Sequence, residues 1–212
     1  MITRDLLVEI LKNVADTIKE NKELLTDLDA AIGDADHGIN MNKGFKTVSE
    51  KLDTVKDKDC GTILKTVAMT LISTVGGASG PLYGTAFLKA SMAVNGKMEL
   101  DNEDIIKMFD EAIKGIVMRG KAQRGEKTML DALIPAYEAL KGSLEKGDDL
   151  SEAFIEAVDA AKEGVEYTKT IKATKGRASY LGDRSIGHQD PGATSSYLIL
   201  RTVANTLNQQ ED

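Results

Sequence analysis

The sequence has little of what disulfide-bonded, zinc-binding or membrane proteins need. Its 212 residues include a single cysteine, Cys60, which excludes an internal disulfide and a cysteine-based zinc site. Two histidines leave little room for a histidine-rich metal site. No window approaches the roughly 18 apolar residues of a membrane helix, and the N-terminus, with Asp5 and Glu9, lacks the apolar run of a signal peptide. We therefore expect a cytoplasmic protein without a membrane partner.

An excess of basic residues is also missing. The chain has 27 Lys and Arg against 34 Asp and Glu, which gives a formal net charge of −7. Because no basic stretch offsets this deficit, the sequence argues against a nucleic-acid partner bound by phosphate neutralisation. Hydrophobic residues make up 42% of the chain, which is too many for a disordered coil.

Aromatic residues are only 4% of the chain, with no tryptophan and three prolines, and this composition favours helices over sheets. Apolar residues recur at helical spacing, whereas no segment shows the two-residue alternation of a strand. The sequence predicts an all-α fold in a single domain, residues 1–212. The eight expected helices lie near residues 3–22, 38–53, 60–75, 82–95, 101–119, 127–142, 150–171 and 192–208.

Glycines cluster in four of the connections between these helices. The clusters are Gly33 and Gly38; Gly76, Gly77, Gly80 and Gly84; Gly120 and Gly125; and Gly176, Gly182, Gly187 and Gly192. If alternate helices are antiparallel, connections two apart lie at the same end of a bundle. We therefore expect the four loops to form one site, with plain helix caps and turns as the alternative.

The first of these loops is rich in carboxylates. Residues 23–42 contain five acidic side chains and no lysine or arginine, and Asp29, Asp34 and Asp36 fall within eight residues. Carboxylates this close repel one another, and Mg²⁺, which also binds phosphate oxygens and water, relieves that repulsion. An EF-hand is excluded, because position twelve of a loop starting at Asp34 is Phe45 rather than glutamate. A solvated acidic turn is the alternative.

The second loop, residues 74–84, combines small and hydroxylated residues before a helix. Such a turn lets backbone N–H groups approach an anion, and the helix start adds a positive dipole end. Pro81 fits the first turn of that helix. The sequence therefore predicts a phosphate-binding turn, although a close helix crossing is the alternative.

The third and fourth loops supply cations. Residues 120–129 carry three, and residues 175–192 have no helical periodicity over 18 residues. Long connections of this kind inside a compact domain are usually functional or disordered. Arg177 and Arg184 are candidate phosphate-binding residues, because a guanidinium matches phosphate oxygens in a bidentate manner. The alternative for each arginine is a plain surface charge.

Together the four loops resemble the nucleotide-binding L subunits of dihydroxyacetone kinases. The resemblance lies in Gly33-Asp-Ala-Asp-His-Gly38, Gly76-Gly-Ala-Ser-Gly-Pro-Leu-Tyr-Gly84, Gly125-Glu-Lys-Thr-Met129 and Gly176-Arg-Ala-Ser-Tyr-Leu-Gly-Asp-Arg-Ser-Ile-Gly-His-Gln-Asp-Pro-Gly-Ala193. These motifs occur in the family's order and spacing and span almost the whole chain. The resemblance implies an antiparallel barrel of eight helices with ADP bound at one end.

The resemblance also implies roles for individual residues. The implied ligands of two Mg²⁺ ions are Asp29, Asp34 and Asp36. The implied nucleotide-binding residues are His37, Gly38, Ile39, Asn40, Ala78, Ser79, Gly120, Met129, Arg177, Asp190, Pro191 and Gly192. Arg177 is also the implied catalytic residue, since it would stabilise charge on the transferred group. Many relatives have glycine where this chain has Ala35.

The function implied is phosphoryl transfer, with ADP as cofactor and ATP as its phosphorylated form. In one branch of the family a phosphocarrier of the sugar phosphotransferase system phosphorylates a retained ADP, and dihydroxyacetone is bound on a partner subunit. In the other branch the domain is fused to the dihydroxyacetone-binding domain and uses ATP. A free chain of 212 residues resembles the first branch. Binding of a transcription regulator is an alternative function, and we expect a monomer or homodimer.

Overall fold

Nine α-helices make up most of residues 1–210, the part of the chain that the computed structural model describes. Their bounds are α1 Arg4–Glu20, α2 Lys22–Ile32, α3 His37–Leu52, α4 Cys60–Thr74, α5 Ser79–Ala93, α6 Asn102–Gly120, α7 Leu130–Lys146, α8 Leu150–Thr168 and α9 Pro191–Asn208. A 3₁₀ segment, Arg177–Ser185, lies between α8 and α9. Two short strands, β1 Ile2–Thr3 and β2 Glu99–Leu100, form an antiparallel pair.

Eight of these helices close into a ring. Each of α3 to α9 packs against its neighbour in the chain, and α9 returns to pack on α1, which also packs on α3. The apolar side chains of all eight face a shared core that includes Ile18, Phe45, Leu71 and Leu140. The all-α fold predicted from the sequence and the eight-helix barrel implied by the family resemblance are confirmed.

Local signals in the sequence account for several helix starts. Asp101 caps α6, and Asp104 completes a capping box with it. Asp59 and Asp149 accept hydrogen bonds from the backbone N–H groups of the third residues of α4 and α8. Such caps satisfy N–H groups that have no partner within the helix, so these acidic residues fix where the helices begin.

Three features differ from the sequence prediction. The sequence prediction places the segment of α2 in the acidic loop, because Glu23, Asp27 and Asp29 belong to the run of carboxylates without lysine or arginine. It nevertheless forms an eleven-residue helix that buries Leu25 and Ile32 and packs on α3 and α9 at one end of the ring. The connection before α9 also contains the 3₁₀ segment, and the pair of β1 with β2 was not expected, since two residues are too few to show alternation.

The connections of the ring alternate between its two ends. Those after α3, α5 and α7 lie at the end where β1 pairs with β2. Those after α2, α4, α6 and α8 meet at the opposite end, and these are the four glycine-rich loops. None of the helices in residues 1–210 is long and apolar enough to cross a membrane.

Candidate functional site

The four glycine-rich loops line one open cleft of about 550 Å³. Its wall contains most of the residues predicted from the sequence, namely Asp29, Asp34, Asp36, His37, Ala78, Ser79, Gly120, Met129, Arg177, Asp190, Pro191 and Gly192. The convergence of the loops is the arrangement expected when alternate connections of an antiparallel ring lie at the same end.

Three carboxylates meet at one side of the cleft. Asp29, Asp34 and Asp36 each offer an oxygen atom, and these atoms lie within 4.8 Å of one another. Asp29 is buried, and its Oδ2 accepts hydrogen bonds from the backbone N–H groups of Asp36 at 2.9 Å and His37 at 3.1 Å. The carboxylate of α2 therefore caps the first turn of α3 and fixes the spacing of the cluster.

Glycine at position 33 makes room for this carboxylate. A Cβ atom there would lie 2.1 Å from Oδ1 of Asp29, well inside van der Waals contact. Ala35 follows in the left-handed region, with φ at +61°. An alanine is strained in that conformation and a glycine is not. The turn between α2 and α3 therefore holds backbone strain next to the carboxylates.

The cluster is incompletely neutralised. Nε of Arg177 forms an ion pair with Oδ2 of Asp34 at 2.9 Å, so one guanidinium faces three carboxylates. Burial raises the pKa of the Asp36 carboxyl, and the charges of Asp34 and Asp29 add to this rise, against smaller opposing effects of Asn40 and Arg177. The excess of negative charge on hard oxygen ligands is the donor set that Mg²⁺ prefers.

The phosphate-binding turn predicted from the sequence faces this cluster. Ser79 is the first residue of α5, with Ala78 just before it and Pro81 within the first turn. A Cβ at Gly80 would lie 2.2 Å from the carbonyl oxygen of Val75, so only glycine allows the turn to fold this tightly. The helix start and the small side chains leave backbone N–H groups accessible to an anion.

His37 lies between the turn and α9. Its Nδ1 is 2.9 Å from Oγ of Ser79, and its Nε2 is 2.9 Å from Oγ of Ser195. Burial lowers the pKa of the imidazole to about 4, and the charge of Asp29 opposes this only in part. The ring is therefore neutral at neutral pH, and both of its nitrogen atoms are in hydrogen bonds.

A buried lysine also lines the cleft. Lys127 is 2% exposed, and its Nζ donates to the backbone carbonyls of Thr168 and His188. Asp131, fully buried, accepts from the backbone N–H groups of Gly125 and Thr128. These contacts hold the loop between α6 and α7 against the loop that precedes α9. Gly120 and Met129, at the two ends of the first of these loops, line the cleft.

Asp190, Pro191 and Gly192 form the start of α9 at the floor of the cleft. Asp190 caps the helix by accepting from the backbone N–H of Ala193 at 2.7 Å. Burial raises the pKa of its carboxyl to about 7. Pro191 occupies the first helical position, where its missing N–H costs nothing.

Three predicted nucleotide-binding residues do not line the cleft. Gly38 is buried against α2, where a Cβ would lie 2.1 Å from the carbonyl oxygen of Lys22, so this glycine serves helix packing. Ile39 is 52% exposed on the outer face of α3. Asn40 lies beside Gly76, and a hydrogen bond from its side chain lowers the pKa of Asp36. Asn40 therefore supports the carboxylate cluster without lining the cleft.

Sequence reasoning missed the buried polar residues that shape the site. Lys127 was counted as a loop cation, although its position inside the Gly125–Met129 motif was a signal. Tyr83 and Ser195 form hydrogen bonds beneath the cleft, and Ser195 follows the last motif by two residues. Arg184, a candidate phosphate-binding residue from the sequence, is not among the residues of the cleft wall within the described chain.

Comparisons with known proteins identify the family of the chain. Residues 31–205 match the family described as the DAK2 domain. The chain is 47% identical over 203 residues to the "PEP-dependent dihydroxyacetone kinase, ADP-binding subunit DhaL" of Escherichia coli, covering 96% of this chain and 97% of that protein. It is 43% identical to the "PTS-dependent dihydroxyacetone kinase, ADP-binding subunit DhaL" of Lactococcus lactis, covering 98% and 100%.

A solved structure shares the fold. The crystal structure of the dihydroxyacetone kinase from C. freundii in complex with AMP-PNP and Mg²⁺ superposes with a TM-score of 0.71 at 24% identity. The match covers 94% of this chain and 33% of that one.

Proposed function

The chain belongs to the DAK2 domain family, among the ADP-binding L subunits of dihydroxyacetone kinases, and from this premise we propose the reaction that it serves. The protein holds ADP with two Mg²⁺ ions as a retained cofactor. A phosphocarrier protein of the sugar phosphotransferase system phosphorylates that ADP, and the phosphoryl group is passed to dihydroxyacetone on a partner subunit. The names of the E. coli and L. lactis relatives support this donor and this acceptor.

One observation carries the proposal. The carboxylates of Asp29, Asp34 and Asp36 share a cleft with the glycine-rich turn at Ser79 and with the guanidinium of Arg177. A metal-bound polyphosphate needs these three kinds of group together: oxygen ligands for the metal, N–H and hydroxyl donors for phosphate, and a cation for the transferred group. The residues present therefore fit a nucleotide with magnesium.

Each group has a distinct task in this proposal. The three aspartates bind the metal, and Ser79 and the start of α5 donate hydrogen bonds to phosphate oxygens. Bound Mg²⁺ supplies charge neutralisation on the phosphate oxygens. With Mg²⁺ bound beside Asp34, the guanidinium of Arg177 would be available to orient the transferred group, because its planar donors match two phosphate oxygens.

The adenosine end of the ligand has a separate wall. Gly120 and Met129 line the cleft, and Leu82 approaches Gly120 so closely that a Cβ there would lie 3.0 Å from its side chain. A small residue at 120 therefore leaves space for a planar ring between the loop and α5. Apolar walls of this kind hold a base by burial rather than by charge.

The donor is tested with the protein, its dihydroxyacetone-binding partner and stoichiometric ADP. We expect sustained phosphorylation of dihydroxyacetone when a phosphorylated phosphocarrier is supplied, and little turnover with excess ATP alone. The reason is that a nucleotide enclosed by four loops leaves slowly, so recharging in place avoids product release as the slow step. Equal multiple turnover on ATP alone would contradict the proposed donor.

A further inference from the structure

A chain of buried hydrogen bonds runs from the barrel interior to the phosphate-binding turn. Ser79 contacts His37, His37 contacts Ser195, and Oγ of Ser195 lies 2.7 Å from the hydroxyl of Tyr83. The Tyr83 hydroxyl lies 2.8 Å from Oγ of Ser196. Four of these five side chains are buried, and Ser79 is partly exposed, so the series of hydrogen bonds ends at the cleft.

Each ring nitrogen of His37 faces a hydroxyl group, Nδ1 that of Ser79 and Nε2 that of Ser195, so an imidazole with a single N–H fits both contacts. Which nitrogen carries that hydrogen decides what Ser79 can do. If Nε2 carries the hydrogen, Nδ1 must accept, and the hydroxyl hydrogen of Ser79 is used on the ring. Ser79 then presents only lone pairs to the cleft. If Nδ1 carries the hydrogen, it donates to Ser79, and the hydroxyl hydrogen of Ser79 is free for an anion.

The second arrangement requires a donor to Nε2, and Ser195 is the group in place. The hydroxyl of Ser195 has a competing acceptor, the carbonyl oxygen of Gly192 at 3.1 Å, against 2.9 Å to Nε2. Tyr83 contacts both groups, at 2.7 Å to Ser195 and 3.3 Å to Gly192. Burial raises the pKa of Tyr83 to about 12, so this hydroxyl remains a donor at neutral pH.

We propose that Ser195, supported by Tyr83, is a positioning residue that holds His37 as the Nδ1–H tautomer and thereby makes the Ser79 hydroxyl a donor to a nucleotide phosphate. Each group in this series of hydrogen bonds then donates to the next one toward the cleft. Ser196 donates to Tyr83, Tyr83 to Ser195, Ser195 to His37, and His37 to Ser79. The proposal rests on the proposed function, because it assumes that a phosphate group binds beside Ser79.

The tautomer can be read directly by nitrogen NMR. The chain has two histidines, and the other one, His188, is exposed and serves as an internal reference. In ¹⁵N-labelled protein saturated with Mg²⁺ and ADP, we expect His37 to show a protonated Nδ1 and an unprotonated Nε2. A protonated Nε2 would overturn the proposal. Saturation is checked by calorimetry on the same sample, so failure to bind ADP contradicts the proposed function instead.

A double-mutant cycle gives a second test with ADP affinity as its readout. We expect Ser79→Ala to weaken ADP binding about tenfold, since it removes a hydrogen bond to a charged group. Ser195→Ala should weaken binding several-fold in the wild-type background and have little effect in the Ser79→Ala background. Equal effects of Ser195→Ala in both backgrounds would show a purely structural role and contradict the proposal.

Two further variants keep the cycle interpretable. Tyr83→Phe should behave as Ser195→Ala does, with a smaller effect, because Ser195 can still donate without Tyr83. Ser91→Ala is the matched control, since Ser91 is a buried serine of α5 whose hydroxyl bonds only to the carbonyl of Leu88 in its own helix. It should leave the affinity for ADP unchanged. A loss in Ser91→Ala equal to that in Ser195→Ala would overturn the assignment.

Discussion

A single methyl group added at Gly33 should dismantle the carboxylate cluster. The added Cβ would lie 2.1 Å from Oδ1 and 2.9 Å from Cγ of Asp29, whereas ordinary contacts begin near 3.4 Å. The φ of Gly33 is −137°, outside the left-handed region that favours glycine, and the collision with Asp29 is the main effect expected of the substitution. The Asp29 carboxylate must therefore move by more than about 1 Å.

This displacement has a cost that the structure sets. Oδ2 of Asp29 accepts from the backbone N–H groups of Asp36 and His37, and a shift of that size breaks both hydrogen bonds. Hydrogen bonds to a charged group contribute about 1.5–3 kcal/mol each. Allowing for replacement by water, Gly33→Ala should lower the free energy of unfolding by about 2–4 kcal/mol. A displaced ligand should also weaken Mg²⁺-dependent ADP binding about 10- to 100-fold.

Urea unfolding and calorimetry with Mg²⁺ and ADP measure the two effects. The matched control is Gly142→Ala, because Gly142 lies within α7 and a Cβ there meets nothing within 4 Å. That variant should gain about 0.5–1 kcal/mol from the better helix propensity of alanine and bind ADP normally. Wild-type stability and affinity in Gly33→Ala would refute the reasoning.

Three other variants test neighbouring parts of the site. Ala35→Gly should raise the free energy of unfolding in urea by about 0.5–1 kcal/mol, because relief of left-handed strain exceeds the added freedom of the unfolded chain. The raised pKa of Asp190 means that its contribution to stability is full below about pH 4 and is lost as the pH rises to about 7. The wild-type protein should therefore lose stability relative to Asp190→Asn over that range in pH-dependent unfolding. Arg177→Lys should slow single-turnover phosphoryl transfer more than it weakens ADP binding, because lysine keeps the charge and loses the bidentate geometry. Unchanged stability, parallel pH profiles and a wild-type transfer rate, respectively, would contradict these expectations.

Much of the fold could be predicted from the sequence because helical periodicity is a local property. All eight predicted segments are helical, and their ends agree within a few residues. The helix α2 escaped detection since five of its eleven residues are charged or threonine and its burial depends on contacts with α3 and α9. Those contacts join residues far apart in the chain, and a local pattern does not contain them.

The residues of the site also divide into those that a local sequence pattern reveals and those that it does not. Asp29, Asp34 and Asp36 could be identified because three carboxylates in eight residues are conspicuous without any structure. The burial of Lys127 could not be predicted in this way, because the acceptors of its hydrogen bonds are backbone carbonyls, which every residue has. The packing role of Gly38 likewise depends on the path of α2, which the sequence prediction had placed in a loop.

If the carboxylate cluster binds ADP through Mg²⁺, the affinity for ADP must depend on Asp34, and calorimetry of Asp34→Asn measures that dependence. The control is Asp27→Asn, an equal change of charge at an exposed position of α2 outside the cleft wall. We predict that the wild-type protein and Asp27→Asn bind ADP tightly with Mg²⁺ and weakly without it, and that Asp34→Asn loses most of the Mg²⁺-dependent affinity while remaining folded. Equal Mg²⁺-dependent affinity in all three proteins would contradict the account.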